Sequence, residues 1–549
     1  MTTRNRLDCV VIGYNDPPFE RYAGLLRQYG EDSEAYRDLK TSFVEIDGCK
    51  LNYVDLMNFA WERAHGGGDG VGAAPFKSGE IPNLAAAYLT NALRRRGRSA
   101  DYVNLFQYEK DRLAELLAGD PGCVAITTTF YVWNFPVNEM VEFIREHNER
   151  VPIVVGGPLI ANHARNYSGE ELTSALRDLG ADIYVNDSQG EHTLGLIVEA
   201  LAAGGDLSAV PNILYFDADG ALVTNPVEPE GNSLEEHTID WLELSSDDLG
   251  ATLQTRTARS CAFKCAFCNY PTRAGKLTLA SLEAIERELD SMHARGNVRN
   301  VVFIDDTFNV PLPRFKDICR LMIRKQYGFN WFSYFRCSNS DEEAVELMAA
   351  SGCKGVFLGI ESGSPSVLEN MNKKASADHY RRGIEMLRRH GILTFGSFIV
   401  GFPGESAATV AETVEFIREN KVDYFRAQMW YNEAGTPIHQ QKEKYGITGD
   451  GFVWTHDSMD SLEAMDHIER MILTIEDSQW LPQWSFDFWY IPYLLGKGVS
   501  LDQFKRYMER ANRMLTLEIA SVPAEEKAAL QQGYLAELVD EVRSWKLTS

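Results

Sequence analysis

The sequence predicts an α/β protein with an N-terminal Rossmann-like domain, a central partial (β/α)6 barrel and a mostly helical C-terminal domain. Three observations support this fold class: the length of 549 residues, the alternation of apolar runs with amphipathic helical stretches through most of the chain, and the loss of that alternation after about residue 440. At roughly 100–200 residues per domain, the length allows several domains. We expect domains at 1–220, 251–440 and 441–549, joined by a linker at 221–250.

The composition is that of a packed globular protein, with 44% hydrophobic and 24% charged residues. The 54 basic and 79 acidic residues give a net charge of −25, which disfavours nucleic acid as a partner. No apolar run approaches the roughly 18–20 residues that span a bilayer, and the N-terminus lacks the pattern of a signal peptide. We therefore expect a cytoplasmic protein with no membrane partner.

The N-terminal domain contains five short apolar runs that are typical of buried parallel strands, at 7–13, 99–105, 123–129, 152–158 and 181–187. Helical stretches separate most of them, at 83–97, 110–119, 138–148 and 190–204. This order predicts a doubly wound sheet. An insertion at about 17–80, with a glycine-rich stretch at 65–75 that we expect to be mobile, follows the first strand. The sequence does not indicate its purpose.

Doubly wound sheets bind ligands beyond the carboxyl ends of their strands. The loops at those positions contain glycines, which let a ligand approach the backbone, and threonines, which offer hydroxyl groups. A plain strand-to-helix turn is the alternative interpretation of Gly156 and Gly157, the glycine pair at the end of the fourth predicted strand. No GxGxxG pattern follows the first strand, so a dinucleotide is not favoured. The candidate ligand-binding residues are Tyr14, Asn15, Thr128, Thr129, Gly156, Gly157, Gly190 and Glu191.

Three cysteines lie within eight residues of one loop, at Cys261, Cys265 and Cys268. Thiolates at this spacing can converge on a metal cluster, and the absence of a nearby fourth cysteine leaves one coordination position open. Zinc completed by a distant histidine, or three unrelated thiols, are the alternatives. The other cysteines lie in apolar surroundings, where a buried thiol is more common than a disulfide: Cys9, Cys49, Cys123, Cys319, Cys337 and Cys353.

Repeated helix–strand units follow the cysteine loop. The predicted pairs are 279–296 with 300–308, 314–326 with 329–338, 341–352 with 355–362, 377–391 with 393–406, and 407–420 with 422–437. With the strand before the cysteine loop, the count is about six strands. Such repeats predict a partial barrel whose chemistry lies at the carboxyl ends of its strands.

The cysteine spacing, with Phe267 directly before the last cysteine, resembles the signature of the radical S-adenosylmethionine (SAM) superfamily. The resemblance implies that the three thiolates hold a 4Fe-4S cluster whose open iron binds SAM. It also implies SAM contacts at three strand ends. The sequence at the first of these strand ends, 305–308, departs from the family pattern, because many members carry a glycine-rich segment at that position. The alternatives are structural roles, such as an ion pair or a loop. The implied SAM residues are Asp305, Asp306, Glu361, Ser362, Ile399 and Gly401.

A Rossmann-like domain before such a barrel resembles the cobalamin-dependent radical SAM enzymes, most of which are methyltransferases. The resemblance implies that the first domain holds cobalamin at the strand-end residues given above. Cobalamin domains of the methionine-synthase type carry an Asp-x-His-x-x-Gly pattern whose histidine binds cobalt, and this pattern does not occur in residues 1–204. We therefore expect base-off methylcobalamin without a histidine ligand. Tyr14 and Asn15 are candidates for its lower face. SAM would supply both the methyl group and a 5′-deoxyadenosyl radical, and an electron donor such as flavodoxin or ferredoxin would supply electrons.

The stretches at 7–16, 46–56 and 484–500 resemble the P-methyltransferases of phosphinothricin and bialaphos antibiotic biosynthesis. That resemblance implies methylation of a small H-phosphinate amino acid of the N-acetyldemethylphosphinothricin type. An anionic substrate needs local positive charge, for which Arg336 and Arg426 are candidates, with surface solvation as the alternative. Two other functions remain open: methylation of an aromatic or aliphatic carbon, as in tryptophan methyltransferases, and a non-catalytic iron–sulfur or cobalamin-binding sensor or carrier.

The C-terminal third contains a cluster of aromatic residues at 480–493, followed by helical stretches at 501–515 and 523–545. The cluster predicts either a cap that excludes water from the barrel or a plain domain core. The helices show one apolar face each, so we expect them to pack on the barrel.

Overall fold

The computed structural model describes residues 6–66, 75–77, 79–187, 189–244, 249–484 and 486–548. Most of the predicted glycine-rich stretch at 65–75 lies outside these ranges. The chain divides into two compact units. Unit 1 takes the N-terminus to Pro17, 79–250 and 280–296, and unit 2 takes 18–78, 251–279 and 297–549. Within the described ranges, no helix has the length and apolar character needed to cross a membrane.

The strands are β1 (Cys9–Tyr14), β2 (Phe43–Ile46), β3 (Cys49–Asn52), β4 (Ala100–Leu105), β5 (Val124–Thr127), β6 (Ile153–Gly156), β7 (Ile183–Val185), β8 (Ile213–Phe216), β9 (Leu222–Thr224), β10 (Thr252–Thr255), β11 (Ala258–Arg259), β12 (Thr278–Leu279), β13 (Asn300–Phe303), β14 (Asn330–Phe335), β15 (Cys353–Glu361), β16 (Leu393–Val400), β17 (Tyr424–Met429), β18 (Thr448–Asp450), β19 (Val453–His456), β20 (Met459–Asp460) and β21 (Gln479–Trp480).

The α-helices are α1 (Phe19–Arg27), α2 (Glu34–Lys40), α3 (Tyr53–His65), α4 (Leu84–Arg95), α5 (Lys110–Ala118), α6 (Phe135–His147), α7 (Pro158–Asn166), α8 (Gly169–Leu179), α9 (Glu191–Ala202), α10 (Tyr270–Ala274), α11 (Leu282–Ala294), α12 (Leu312–Lys325), α13 (Glu342–Ala350), α14 (Pro365–Asn370), α15 (Ala377–Arg389), α16 (Ala407–Asn420), α17 (Lys442–Tyr445), α18 (Ser461–Thr474), α19 (Tyr490–Gly496), α20 (Leu501–Ile519) and α21 (Ala524–Arg543).

Unit 1 is the predicted doubly wound domain, with strand order β4-β1-β5-β6-β7-β8-β9. The five predicted strands are all present and parallel. Their side chains are buried because helices cover both faces of the sheet, as the continuous apolar runs indicate. Two strands that we did not predict, β8 and β9, extend the sheet as an antiparallel hairpin.

Unit 2 contains a parallel sheet with the order β10-β13-β14-β15-β16-β17-β21. The first six strands are the predicted partial barrel, and β21 adds a short seventh. We predicted no strand there because its aromatic sequence is also that of a core segment. Trp480 does pack against Phe425, with ring centroids 5.4 Å apart. The C-terminal region is helical, as expected, apart from a small antiparallel sheet of β18, β19 and β20.

The insertion that follows the first strand packs within unit 2, whereas the predicted boundaries placed it with the N-terminal domain. Its helix α3 packs against the C-terminal helices: the hydroxyl of Tyr507 donates to the carbonyl of Tyr53 at 2.5 Å, and the hydroxyl of Tyr53 donates to Asn512 at 2.7 Å. The indole of Trp480 donates to the carbonyl of Thr41 at 3.0 Å. These partners are more than 400 residues apart, so local sequence patterns do not reveal the contact.

The predicted aromatic cluster fills the interior of the barrel sheet. Phe488 lies 5.9 Å from Phe332, 6.0 Å from Phe357 and 5.9 Å from Phe395 between ring centroids. These three side chains belong to β14, β15 and β16 and precede the carboxyl ends of their strands by several residues. The cluster is therefore a domain core, which is one of the two alternatives, and its role in excluding water stays a prediction.

All nine cysteines are free thiols. Five of the six outside the cysteine loop are buried, as expected. The exception is Cys49, which is exposed because it starts β3 directly after the β2–β3 turn.

Gly401→Ala is expected to lower the free energy of unfolding by about 2–4 kcal/mol. Gly401 follows β16 with φ of 86°, and an added Cβ would lie 2.7 Å from Cζ2 of Trp454 and 2.9 Å from Cβ of Ala464. The expected loss combines left-handed strain with overpacking. Gly24→Ala is the matched control: Gly24 lies in α1 with no atom within 4 Å of the added Cβ, so it should be neutral or slightly stabilising. Equal urea midpoints for the two variants would contradict this packing.

Candidate functional site

The cysteine loop lies between the short strand β11 and α10, just after β10 ends at the carboxyl edge of the barrel sheet. Backbone and side-chain hydrogen bonds fix its middle: the Ala266 amide donates to the carbonyl of Met371 at 2.8 Å, and the Ile438 amide donates to the carbonyl of Ala266 at 2.9 Å. The side-chain amide of Asn372 donates to the carbonyl of Lys264 at 2.7 Å. The loop is therefore held by two distant segments of unit 2.

The three thiols of the loop are neighbours. Cys265 is buried, and Cys261 and Cys268 are partly buried. Burial raises the pKa of Cys265, and it raises the pKa of Cys268 to about 11, with a further contribution from the charges of the other two thiols. Because the thiolate is the form that binds metal, loading a cluster here displaces the thiol protons.

Across the described ranges, no three His, Cys, Asp or Glu side chains converge on the position of a single metal ion. A mononuclear zinc site needs such convergence. A four-iron cluster does not, because each of the three thiolates binds a different iron.

Asp305 connects β13 to the start of the cysteine loop. Its Oδ1 accepts the amides of Thr257 and Ala258 at 2.7 Å each, and its Oδ2 accepts the hydroxyl of Thr257 at 2.6 Å. The guanidinium of Arg314 donates to the carbonyl of Thr257 at 2.7 Å. Burial raises the pKa of Asp305, although these hydrogen bonds oppose the shift. Asp305 thus positions the loop, a role that the sequence did not indicate, and its predicted contact with SAM stays a prediction.

Asp306 lies beside Asp305 but is exposed to solvent. Partial desolvation by surrounding protein and the charge of Asp305 raise its pKa to about 7. A bound cation, such as the ammonium group of SAM, would favour the charged form. This carboxylate therefore fits the predicted role better than its neighbour.

Glu361 ends β15 in a left-handed conformation, with φ of 69°. Its Oε1 accepts the ammonium of Lys373 at 2.7 Å, and both side chains are buried. Burial alone would lower the pKa of Lys373, but Glu361 outweighs it and the pKa is raised. The ion-pair alternative for Glu361 is thus present in the structure. Ser362 also has an internal partner, the hydroxyl of Thr413 at 3.1 Å.

Ile399 and Gly401 lie at the end of β16. Ile399 is opposite Gln428 of β17, and the Gly401 amide donates to Glu405 at 2.5 Å. Burial raises the pKa of Glu405 to about 8. Phe267 of the cysteine loop faces the same segment, with its ring centroid 6.4 Å from that of Phe402. The cysteine loop and this predicted SAM segment therefore meet.

The two predicted substrate arginines are both buried, which differs from the surface-solvation alternative. The guanidinium of Arg336 lies 3.6 Å from the ring centroid of Phe263 in the cysteine loop, and it donates to Ser338 at 3.0 Å and to the carbonyl of Lys373. Arg336 therefore packs against the cysteine loop and supports it. Arg426 lies on β17, where its guanidinium is 3.4 Å from Asp487.

In unit 1, the predicted cobalamin residues follow β1, β5, β6 and β7, which are adjacent in the sheet. They therefore share one edge. Tyr14 stacks on Tyr131 at 5.9 Å between centroids. Asn15 is fully buried, and its side-chain amide donates to the carbonyl of Pro136 at 2.9 Å and to Glu139 at 3.2 Å. The Asn15 amide is thus turned toward α6.

Thr128 links two of these loops. Its hydroxyl donates to the carbonyl of Gly156 at 2.9 Å and accepts the amide of Leu159 at 3.3 Å, while Thr129 is exposed. Gly157 has φ of 112°, and an added Cβ would lie 2.8 Å from the hydroxyl of Thr128. The glycine pair therefore forms a tight strand-to-helix turn, the alternative interpretation, and its predicted contact with cobalamin stays a prediction.

The start of α9 is occupied by Glu230, which we did not predict. Its carboxylate accepts the amides of Gly190 at 3.2 Å, His192 at 2.9 Å and Thr193 at 2.7 Å. Burial would raise the pKa of Glu230, but these hydrogen bonds leave it lowered. Glu191 accepts the side-chain amide of Asn232 at 2.9 Å. No sequence pattern indicated this cap, because Glu230 follows the last predicted element of the domain.

Gly157→Ala is expected to reduce cobalamin affinity at least about tenfold, because the left-handed strain and the contact with Thr128 would displace the turn. The measurement is the visible absorbance of cobalamin retained after gel filtration. Gly231→Ala is the control, since its added Cβ would meet no atom within 4 Å. Full retention by Gly157→Ala would remove this turn from the cobalamin site.

Two family models match the chain. Residues 255–417 match the Radical SAM superfamily, and residues 77–183 match the B12 binding domain. The first range contains the cysteine loop and most of the barrel, and the second contains half of the predicted strand-end residues of unit 1, namely Thr128, Thr129, Gly156 and Gly157. The chain therefore carries a B12-binding domain ahead of a radical SAM domain.

Three relatives add to these matches. An uncharacterized methyltransferase of Pyrococcus horikoshii is 28% identical over 314 residues, which are 56% of this chain and 66% of that protein. An anaerobic magnesium-protoporphyrin IX monomethyl ester cyclase of Rubrivivax gelatinosus is 25% identical over 71% of this chain and 73% of its own length. The radical SAM methyltransferase TsrM of Kitasatospora setae, solved with cobalamin and a [4Fe-4S] cluster, matches in fold with a TM-score of 0.55, 21% identity and coverage of 66% of this chain and 75% of that one.

Proposed function

We propose that the chain is a cobalamin-dependent radical SAM methyltransferase. The observation that carries the proposal is the three-cysteine loop at the carboxyl end of the barrel sheet, in a chain that also carries a B12-binding domain. Bound at these residues, the cluster would supply the electron that cleaves SAM to a 5′-deoxyadenosyl radical, and cobalamin would carry the methyl group. An electron donor such as flavodoxin or ferredoxin completes the proposal.

The residues of the chain would position these reactants. Asp305 and Arg336 fix the two sides of the cysteine loop through Thr257 and Phe263. The buried ion pair of Glu361 and Lys373 holds the end of β15 beside the loop. Rigid supports of this kind keep reacting groups at bonding distance. Aromatic side chains fill the barrel interior and would keep water away from a radical.

For the substrate, we propose a small H-phosphinate amino acid of the N-acetyldemethylphosphinothricin type, which would place the reaction in antibiotic biosynthesis. The resemblance of the three flanking stretches and a buried arginine inside the barrel, Arg426, support this proposal. The second candidate is methylation of a carbon atom. The likeness in fold to TsrM, which has also been solved with tryptophan as substrate and a SAM analog, favours that alternative.

A direct comparison of substrates separates the two candidates. The holoenzyme, reconstituted anaerobically with iron, sulfide and hydroxocobalamin, is incubated with SAM, reductant and either N-acetyldemethylphosphinothricin or tryptophan. P-methylation is expected to replace the one-bond P–H coupling in the 31P spectrum with coupling to a methyl group. A methylated tryptophan with an unchanged phosphinate would replace the P-methylation proposal with the carbon alternative.

A further inference from the structure

The side chain of Arg426 lies inside the barrel. It projects from β17 between two rings, 5.5 Å from the centroid of Phe357 on β15 and 5.7 Å from that of Phe395 on β16. In the sheet, Arg426 is opposite Ser397, which is opposite Gly359. The arginine is 8% exposed, so its charge is almost fully removed from bulk water.

The guanidinium of Arg426 is only partly satisfied. Its ion-pair partner in the described ranges is Asp487, at 3.4 Å, and its Nε is buried without a hydrogen-bond partner. Asp38 lies within electrostatic range, but burial raises the pKa of that carboxyl to about 6. A buried guanidinium normally forms several short hydrogen bonds, because leaving its donors unpaired is costly. The guanidinium of Arg426 therefore has hydrogen-bond donors that an oxyanion could accept.

The carboxylate of Asp487 is partly exposed to solvent. Its side chain keeps 37% of its exposure although its partner keeps 10%, so solvent reaches the pair from the side of the carboxylate. Arg336 differs, because its donors are engaged by Ser338 and the carbonyl of Lys373. Of the two predicted substrate arginines, the structure thus favours Arg426.

The surroundings of Arg426 are aromatic. The Tyr334 ring lies 4.9 Å from that of Phe357 and 5.2 Å from that of Trp489, and Phe488 packs against Phe357 and Phe395. Such walls lower the local dielectric constant and strengthen an ion pair with a buried anion.

The position of Arg426 along β17, below the carboxyl ends of the barrel strands, is compatible with binding one end of a substrate. Gln428, two residues later on β17, is opposite Ile399 at the predicted SAM segment. At about 3.3 Å per residue, Arg426 lies about 7 Å below that level. An anion bound there would leave the rest of a small substrate pointing toward the strand ends, where the radical is generated under the proposed function.

We propose that Arg426 is the specificity-determining residue that binds an oxyanion of the substrate, either a phosphinate or a carboxylate. This inference rests on the proposed function for the role of the ligand as substrate. The binding itself is testable without turnover.

The test is isothermal titration calorimetry on the reconstituted holoenzyme with three probes: phenylphosphinate, phenylacetate and the neutral phenylacetamide. We expect both anions to bind at least about tenfold more tightly than the amide, and the tighter of the two identifies the preferred oxyanion. R426Q is expected to erase this preference and R426K to keep part of it. R426Q leaves the charge of Asp487 without its partner, which could itself repel an anion. The double variant R426Q/D487N removes both charges and therefore tests the loss of Arg426 without that repulsion. The matched control is R389Q, an exposed arginine of α15.

Unchanged preference for the anions in both R426Q and R426Q/D487N, or no preference in the wild-type enzyme, would overturn the inference. The same samples are assayed for reductive SAM cleavage without substrate. Normal SAM cleavage with no effect of Arg426 on anion binding would reject this inference alone. Arg426-dependent anion binding without SAM cleavage would reject the proposed function and leave the oxyanion site standing.

Discussion

Cys265→Ala is expected to abolish cluster binding and to lower SAM cleavage by at least about 1000-fold. Cys265 is the buried member of the three thiols, and its loop is tied to distant segments through the neighbouring Ala266. Removing one thiolate leaves an iron of the cluster without its protein ligand, and uncatalysed cleavage of SAM has a much higher barrier. Iron content and the absorbance of the reconstituted protein near 400 nm measure the loss.

The control for this variant is Cys49→Ala, which removes an exposed thiol far along the chain from the cysteine loop. It should keep full iron content and full SAM cleavage. If Cys265→Ala retained both, the assignment of the cysteine loop to a cluster would be wrong.

Asp305→Ala is expected to have the second-largest effect, lowering the free energy of unfolding by about 2–5 kcal/mol and preventing full cluster loading. The substitution removes the acceptor of two buried amides and a hydroxyl, which donate to Asp305 at 2.6–2.7 Å. Each unsatisfied buried group costs about 1–3 kcal/mol. Urea denaturation and iron content report the two effects separately.

Asp306→Asn tests whether the effect is specific to the positioning carboxylate. Asp306 is exposed and contacts no backbone amide of the cysteine loop in the hydrogen bonds described above, so its variant should keep stability and iron content. A change in SAM affinity alone would agree with its predicted role at SAM. Equal loss of iron in both variants would contradict a special role for Asp305.

Local sequence patterns were sufficient to predict five strands of the first sheet and six of the second, because buried parallel strands appear as short apolar runs between amphipathic helices. The cysteine loop was also predictable, since its ligands lie within eight residues. The hairpin of β8 and β9 and the short strand β21 were missed. They carry weaker patterns, and β21 forms only where Trp480 meets Phe425.

Contacts between distant parts of the chain were not predictable. The insertion joins unit 2 because Tyr53 meets Tyr507 and Asn512, and no local pattern encodes that choice. The same reason explains the missed partners in the site, such as Lys373 for Glu361 and Glu230 for α9. The sequence marked the polar residues at the strand ends, but the structure was needed to show which have internal partners.

The net charge of −25 makes the buried position of Arg426 informative. A negative overall field repels small anions, so an anionic substrate would need a local guanidinium that solvent does not screen. Arg426 provides one inside the barrel, while most of the other basic residues lie on the surface.

The most direct test of the central claim is product analysis of SAM turnover by the anaerobically reconstituted holoenzyme with reductant and N-acetyldemethylphosphinothricin. Methyl transfer through a 5′-deoxyadenosyl radical predicts that 5′-deoxyadenosine and S-adenosylhomocysteine form together, in equal amounts with the methylated product. S-adenosylhomocysteine without 5′-deoxyadenosine would contradict hydrogen abstraction. Formation of neither compound by a protein with full iron and cobalamin content would contradict the proposed function.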